Sequence, residues 1–285
     1  MLVTDAQIHL WELDRPDRPW PTDVRSTPHR PHAFTDEHML PEMDQAGVDR
    51  AVIVPPSWVG ENNATALEMA AKHPTRFAVM GRFDTQAPDA RARLEGWLSQ
   101  PHMLGIRITF NAPRFVSALE AGGFDWFWAA CEELGIPLMA LFSGPLLDKV
   151  PPIAERHPNL TLIIDHMGRA SGATGPAAFA DLDNLLRLAR YPNVLVKTTS
   201  APSYSEEPYP FRDIHPFLRR IYDAFGPRRL LWGSDITRLR GAYAECLNLF
   251  KEALDFLSAD DKEWILGKTL ATTCNWPEGQ GSQPT

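Results

Sequence analysis

The nine residues LTLIIDHMG, numbers 160–168, combine two features that decide the fold. Residues 160–164 are almost continuously apolar and have the length of a buried strand. A strand with one solvent-exposed face alternates apolar and polar residues. A parallel strand that is buried on both faces is apolar almost throughout. Asp165 and His166 follow at once. The stretch therefore predicts a buried parallel strand with polar groups at its carboxyl end.

The same pattern recurs along the whole chain. Including residues 160–164, eight strands are predicted, at residues 2–10, 51–54, 77–80, 104–108, 137–141, 160–164, 194–197 and 230–233. Helical patterns cover residues 64–72, 91–99, 126–134, 180–189, 214–225 and 242–257. Strands that are mostly separated by helices predict an α/β protein, specifically a (β/α)8 TIM barrel. A doubly wound open sheet is the main alternative, because it is built from the same units.

The length of the chain fits one such barrel. The sequence has 285 residues, and α/β barrels of this length are commonly single domains. We expect a single TIM-barrel domain over residues 1–276 and a disordered polar tail over residues 277–285. Two proline-rich loops, residues 14–32 and 198–210, follow strands one and seven. They are expected to be lids or site walls, or else rigid coverings.

Charge and cysteine content narrow the partners and surroundings. The formal net charge is −8, so no global basic field would attract nucleic acid or a membrane surface. An anionic small-molecule substrate would be met by local arginines instead. Three separated cysteines without a CxxC pair favour a reducing cytoplasm. The sequence shows no signal-peptide pattern, so secretion is not expected. It has no run of about 18 apolar residues, so a membrane-spanning helix is not expected either. Formation of a homo-oligomer is left open.

Polar side chains at the strand ends are the candidate catalytic groups, because those ends meet at one mouth of a barrel. The chemically sharpest set is His9 after strand one, His166 after strand six and Asp235 after strand eight. Imidazole nitrogen and carboxylate oxygen suit zinc or manganese. Without a metal, Asp235 could take a proton from water while a histidine polarises a carbonyl. Each histidine taken alone could equally be a hydrogen-bonded strand end.

Further strand-end side chains are candidate substrate-binding groups. They are Gln7, Arg82, Arg107 and Lys197. Arg107 lies in the apolar stretch GIRITF, where a cation needs an anionic ligand or a buried partner such as Asp84. Gln7 lies two residues before His9, so on a strand their side chains point to the same side.

Four short motifs, taken in order, resemble the amidohydrolase superfamily. They are DAQIHLW at residues 5–11, IDHMG at 164–168, WGSD at 232–235 and ILGKTL at 265–270. The resemblance is greatest to the amidohydrolase 2 branch, which includes sugar-acid lactonases and 2-pyrone-4,6-dicarboxylate lactonase. It covers nearly the whole chain. It implies a distorted (β/α)8 barrel and a hydrolase of a small carboxylated lactone or ester-like substrate.

The resemblance also implies roles for individual residues. Asp235 would activate water, His166 and His9 would complete the catalytic set, and Arg107 would hold a substrate carboxylate. Two departures bear on the cofactor: position 7 is Gln where the family commonly has HxH, and only Ser143 follows strand five where metal-using relatives often have histidine.

The cofactor is therefore expected to be none, or one divalent metal, zinc or manganese, held by His9, His166 and Asp235. A metal-dependent decarboxylase and a non-catalytic barrel that binds a small acid are the alternative functions.

Overall fold

A computed structural model describes residues 2–22, 26–111 and 113–276. The predicted tail at residues 277–285 lies outside the described residues. Eight strands form one sheet in chain order, and each strand is parallel to the next. They are β1 (Thr4–Ile8), β2 (Arg50–Ile53), β3 (Phe77–Gly81), β4 (Met103–Thr109), β5 (Leu138–Leu141), β6 (Leu162–Ile164), β7 (Val194–Lys197) and β8 (Leu230–Leu231).

Backbone hydrogen bonds join the first strand to the segment that continues the last one. The N–H of Ala6 donates to the oxygen of Trp232 at 3.0 Å, and the N–H of Asp235 donates to the oxygen of Gln7 at 2.9 Å. These bonds nearly close the sheet into a barrel. The predicted (β/α)8 barrel is confirmed, and the doubly wound alternative is wrong, because such a sheet would have open edges and a strand order that departs from the chain order.

Helices follow most strands and cover the outside of the barrel. They are α1 (Asp36–Ala46), α2 (Ala64–Lys72), α3 (Ala90–Glu95), α4 (Pro113–Glu120), α5 (Asp125–Glu133), α6 (Val150–Arg156), α7 (Gly175–Ala178), α8 (Leu182–Leu186), α9 (His215–Phe225), α10 (Tyr243–Asn248), α11 (Ala259–Glu263) and α12 (Thr269–Thr273). Each of these helices is too short to cross a membrane. Three longer predicted helices end early and continue as 3₁₀ or π turns, after α3, α8 and α10.

An irregularity in β1 sets the direction of the site residues. The register between β1 and β2 shifts between Asp5 and Ile8. Ala6 packs with the apolar cluster inside the barrel, whereas Ile8 packs with the larger cluster between strands and helices. Gln7 also faces inward, where it contacts Lys197. Since side chains alternate along a regular strand, Ala6 and Gln7 share the interior because of this shift.

The chain's last described segment packs against the strands. Leu270, Cys274 and Trp276 belong to the interior cluster and extend it from the sheet into α12 and the residues after it. Just before α12, the backbone of Gly267 lies so near β1 that a Cβ there would be 2.2 Å from the oxygen of Leu2. The glycine of the ILGKTL motif is thus required by close backbone approach.

Candidate active site

The three predicted catalytic side chains meet at the carboxyl end of the barrel. His9 follows β1, His166 follows β6 and Asp235 follows β8. Nε2 of His9 lies 3.3 Å from Oδ1 of Asp235, and Nε2 of His166 lies 3.9 Å from Oδ2 of the same carboxylate. All three side chains are buried. The structure therefore brings together the set that strand-end position predicted.

Hydrogen bonds orient the two imidazoles. Nδ1 of His9 lies 2.7 Å from the oxygen of Val54. Because a carbonyl only accepts, this nitrogen carries the hydrogen and Nε2 turns a lone pair toward Asp235. Nδ1 of His166 lies 2.7 Å from Oγ1 of Thr199. Burial lowers the pKa of His9 to about 3, against the opposing effect of Asp235, and burial also lowers the pKa of His166. Both rings are therefore neutral near pH 7.

Gln7 lies between these histidines and a buried lysine. Its Nε2 is 3.4 Å from Nε2 of His9 and 3.4 Å from Nε2 of His166. Its Oε1 accepts a hydrogen bond of 2.5 Å from Nζ of Lys197. Gln7 and Lys197 are both 0% exposed. Sequence analysis named them as substrate-binding groups, and the structure places them beneath the histidines, within the barrel.

Arg107 is held by a buried acid. Its Nε donates to Oδ2 of Asp165 at 3.0 Å, and its Nη1 donates to Oγ1 of Thr109 at 2.6 Å. Lys197 lies on the other side of the same acid, with Nζ 2.6 Å from Oδ1 of Asp165. Burial would raise the pKa of Asp165, but Lys197 and Arg107 together hold it well below its usual range. The suggestion that Arg107 pairs with Asp84 is wrong, because the partner comes from the end of β6.

A cavity with two lobes opens above these groups. One lobe, of about 620 Å³, is lined by His9, Arg82 and Arg107 among others, and is called the Arg107 lobe here. The second, of about 220 Å³, is lined by Asp235, Arg169 and Tyr204 among others, and is called the Tyr204 lobe. The residues that line both lobes are Asn111, Leu141, His166, Ser171 and Arg238. Arg82 and Arg107 thus reach the space a ligand would fill.

Two residues of the long loops line the cavity although no motif marked them. His29 lies in the loop after β1, with Nδ1 2.8 Å from Oγ1 of Thr237 and its ring 5.7 Å from that of His9. Burial and the positive charge of Arg238 together lower the pKa of His29 to about 4. Tyr204 lies in a 3₁₀ turn after β7. The position of both loops at strand ends was the only signal in the sequence that could have pointed to them.

Asp5 supports the backbone turn at Asp235 from behind. It accepts hydrogen bonds from the N–H of Ser234 at 2.8 Å, from Oγ of Ser234 at 2.5 Å and from the hydroxyl of Tyr243 at 2.9 Å. Burial raises the pKa of Asp5 to about 6, although these donors oppose the shift. Ser234 precedes Asp235, whose backbone has a left-handed φ of 51°. Asp5 therefore stabilises the turn that presents Asp235 to the cavity.

The predicted metal ligands can be tested against this geometry. Two imidazoles and a carboxylate are donors that zinc accepts. However, Gln7 directs its amide nitrogen, a hydrogen-bond donor, at both Nε2 lone pairs. Within residues 2–22, 26–111 and 113–276, no group of three or more His, Cys, Asp or Glu side chains is spaced to hold an ion. As they are arranged, the residues do not fit a resident metal.

The arrangement instead presents a base without a partner. Oδ1 of Asp235 is buried and has no hydrogen bond to any described residue, and the group that faces it, Nε2 of His9, is also an acceptor. A buried acceptor of this kind calls for a donor, and a water molecule beside the carboxylate supplies one. Burial would raise the pKa of Asp235, but His9 and His166 keep it below its usual value. The site therefore presents a buried carboxylate oxygen without a partner next to the cavity.

The chain is similar to several known proteins. A family model described as amidohydrolase matches residues 4–269. The chain is 26% identical over 251 residues to an L-fucono-1,5-lactonase of Burkholderia ambifaria, covering 85% of this chain and 83% of that protein. It is 27% identical over 208 residues to a 4-sulfomuconolactone hydrolase of Rhizobium radiobacter, covering 73% and 68%.

A solved structure shows the same architecture. It is that of an amidohydrolase from Burkholderia multivorans with bound zinc. The TM-score is 0.82 at 25% identity, and the match covers 97% of this chain and 100% of that one. The barrel, its strand order and its closure are therefore those of a known enzyme scaffold.

Proposed function

The chain belongs to the amidohydrolase family, and we propose from its site that it hydrolyses a small carboxylated lactone with water activated by Asp235. Membership of the family confirms the resemblance seen in the four motifs. It also supports an enzyme rather than a non-catalytic barrel that binds a small acid. The observation that carries it is the buried, unpartnered Oδ1 of Asp235 opposite the acceptor Nε2 of His9. The names of two curated relatives, a lactonase and a lactone hydrolase, support the substrate class.

The proposed chemistry begins with a water molecule bound by the free oxygen of Asp235. Asp235 takes one proton while the water oxygen forms a bond to the lactone carbonyl carbon, and the carbonyl π electrons move to its oxygen. The second hydrogen of the water stays on the attacking oxygen, and His9 lies beside the carboxylate. His166 lines both lobes and orients the substrate beside the carboxylate. The tetrahedral intermediate then collapses and the ring C–O bond breaks.

Two arginines are proposed to bind the carboxylate of the substrate. Arg82 and Arg107 line the same lobe, next to His9. Guanidinium groups match a carboxylate in charge and in the spacing of their donors. Gln7 and Lys197 act from beneath, by fixing the histidines, without contacting the substrate directly. The metal-dependent decarboxylase alternative is not favoured, because it would need an ion where Gln7 donates hydrogens.

The test is turnover of a lactone panel by the purified protein. The panel holds carboxylated lactones and neutral sugar lactones, and product acid is followed by pH indicator. We expect turnover of at least one carboxylated lactone, and a loss of roughly 10²–10⁴-fold in kcat for Asp235→Asn. Asp255→Asn, at an exposed position after α10, is the matched control and should keep full activity. Unchanged turnover in Asp235→Asn would refute the role of Asp235, and turnover of neutral lactones alone would refute the carboxylated class.

A further inference from the structure

Tyr204 has a hydroxyl that the fold does not use. Its side chain is only 6% exposed, and its ring packs edge-on against Phe179 at 6.1 Å. Among the described residues, the hydroxyl has no hydrogen-bond partner. The residue lines the Tyr204 lobe together with Asp235 and His166. The side chain is buried while the residue lines the lobe, so its hydroxyl is a hydrogen-bond donor available to a ligand atom there.

Several other polar groups of this lobe are already engaged in hydrogen bonds. Oγ of Ser200 donates to the oxygen of Ser234 at 3.2 Å, and Oγ of Ser203 donates to the oxygen of Arg238 at 3.3 Å. Arg169 is held by Met167, Ala178 and Asp181. A guanidinium also binds an oxygen without giving up its proton, since arginine is not deprotonated in proteins. Tyr204 is therefore a side chain of this lobe with a proton that it can transfer.

The proposed reaction needs a proton donor for the leaving oxygen, and Asp235 does not supply it at the moment when the ring opens. Breaking the ring C–O bond of a lactone leaves an electron pair on an alkoxide oxygen, which is a strong base and a poor leaving group without a proton. Asp235 is occupied on the side of the attacking water. An acid is therefore required near the ring oxygen. This oxygen is bonded to the same carbon that the water attacks, but it points away from Asp235.

We propose that Tyr204 is the catalytic acid that protonates the departing ring oxygen. This inference rests on the proposed lactone hydrolysis and assigns its second proton transfer. As the C–O bond breaks, its electron pair goes to the ring oxygen, which takes the phenolic proton. The proton that Asp235 took from water then returns to the phenolate through a bound water. The sum is lactone plus water to hydroxy acid, and both side chains end as they began.

The charges around Tyr204 agree with this role. Burial and the negative charge of Asp235 raise the pKa of the phenol, against Arg169 and Arg238. The phenol therefore keeps its proton at neutral pH until a strong base such as an alkoxide forms beside it.

The test compares two lactones that differ in their leaving group. One releases an alkoxide, and the other is an aryl lactone that releases a phenolate, which leaves without help. For Tyr204→Phe we expect kcat to fall by roughly 10²–10⁴-fold on the alkyl lactone and by less than about threefold on the aryl lactone. Because the hydroxyl has no partner in the fold, Tyr204→Phe should fold normally, which thermal melting and circular dichroism would show.

Controls separate this inference from the proposed function. Tyr222→Phe loses a hydroxyl bonded to Asp261 on the outside of the barrel and should keep both activities. Asp235→Asn should lose both, because water activation precedes either leaving step. An equal loss on the two lactones in Tyr204→Phe, or full activity on both, would overturn the role of Tyr204. Loss confined to the alkyl lactone in Tyr204→Phe, with full activity in Asp235→Asn, would support Tyr204 and refute Asp235 alone.

Discussion

Nζ of Lys197 lies 2.5 Å from Oε1 of Gln7, and this contact decides which way the amide of Gln7 faces. An ammonium group only donates, so the amide oxygen must point to it and the amide nitrogen must point the other way, to the two histidines. Lys197 is itself paired with Asp165 at 2.6 Å. A chain of contacts from the barrel interior thus gives both Nε2 atoms a hydrogen-bond donor.

Replacing Gln7 by histidine should give the site an affinity for metal. Gln7→His removes the donor that faces His9 and His166 and adds a third imidazole lone pair in its place. We expect Co²⁺ binding at least about tenfold tighter than in the wild-type protein, since each new ligand strengthens such a site. Visible absorbance of bound Co²⁺ and elemental analysis after zinc loading are the measurements.

The matched control for this variant is Gln86→His, at an exposed position after β3. It adds one histidine to the chain without adding it to the site, and should leave Co²⁺ binding at the wild-type level. Wild-type protein that holds one zinc per chain with the same affinity as Gln7→His would contradict the account of Gln7.

Arg107→Lys should weaken the binding of an anionic substrate while leaving the rate of the chemical step nearly unchanged. Lysine preserves the charge next to Asp165, but it cannot keep both the bond to Asp165 and a forked contact to a carboxylate. We expect KM for a carboxylated lactone to rise roughly tenfold or more, with kcat within about threefold. The same variant should show no change in KM for an uncharged lactone, and an equal rise for both substrates would count against a carboxylate contact.

His9 should make stability depend on pH in a defined direction. Its pKa is lowered from 6.5 to about 3 in the folded chain, so between these values the unfolded chain binds the proton and the folded chain does not. Stability from this group is therefore complete above pH 6.5 and is lost as the pH falls toward 3. Relative to His9→Asn, wild type should lose about 2 kcal/mol between pH 6.5 and pH 5.

The measurement is urea unfolding of both proteins at several pH values. Titratable groups far from His9 behave alike in both proteins, so their contributions cancel in the difference. Parallel stability curves for wild type and His9→Asn would show that His9 titrates alike in the folded and unfolded chains.

Gly267→Ala should be strongly destabilising. The added Cβ would lie 2.2 Å from the backbone oxygen of Leu2, and backbone has little room to move. We expect a loss of about 3 kcal/mol, which corresponds to a fall in Tm of roughly 6–12 °C. Gly96→Ala is the control, because a Cβ there meets nothing within 4 Å. Similar melting temperatures for the two variants would disprove the close approach.

Much of the barrel is encoded locally. The run predicted at residues 194–197 is β7 itself, and α2 has its predicted bounds, because apolar content and length are properties of a few neighbouring residues. Helices α1 and α6 contain prolines and were missed. In α6 both prolines lie in the first turn, where the missing N–H costs no helical hydrogen bond. The pattern alone does not reveal that difference.

The site was predictable in part for the same reason. His9, His166 and Asp235 converge because any strand end of a barrel faces the same mouth. The partner of Arg107 was not predictable, because β4, β6 and β7 must first be assembled before Asp165 can lie between Arg107 and Lys197. Tyr204 depends on the path of a loop, which no repeated pattern specifies.

The left-handed backbone at Asp235 limits how this enzyme can evolve. Its φ of 51° is a conformation that aspartate and asparagine adopt more readily than longer side chains do. A glutamate there would carry the same charge but would strain the turn and move the carboxylate away from His9. A single substitution of glutamate for Asp235 is therefore not tolerated. Moving this carboxylate to a new position requires a change in the backbone of the turn after β8 first.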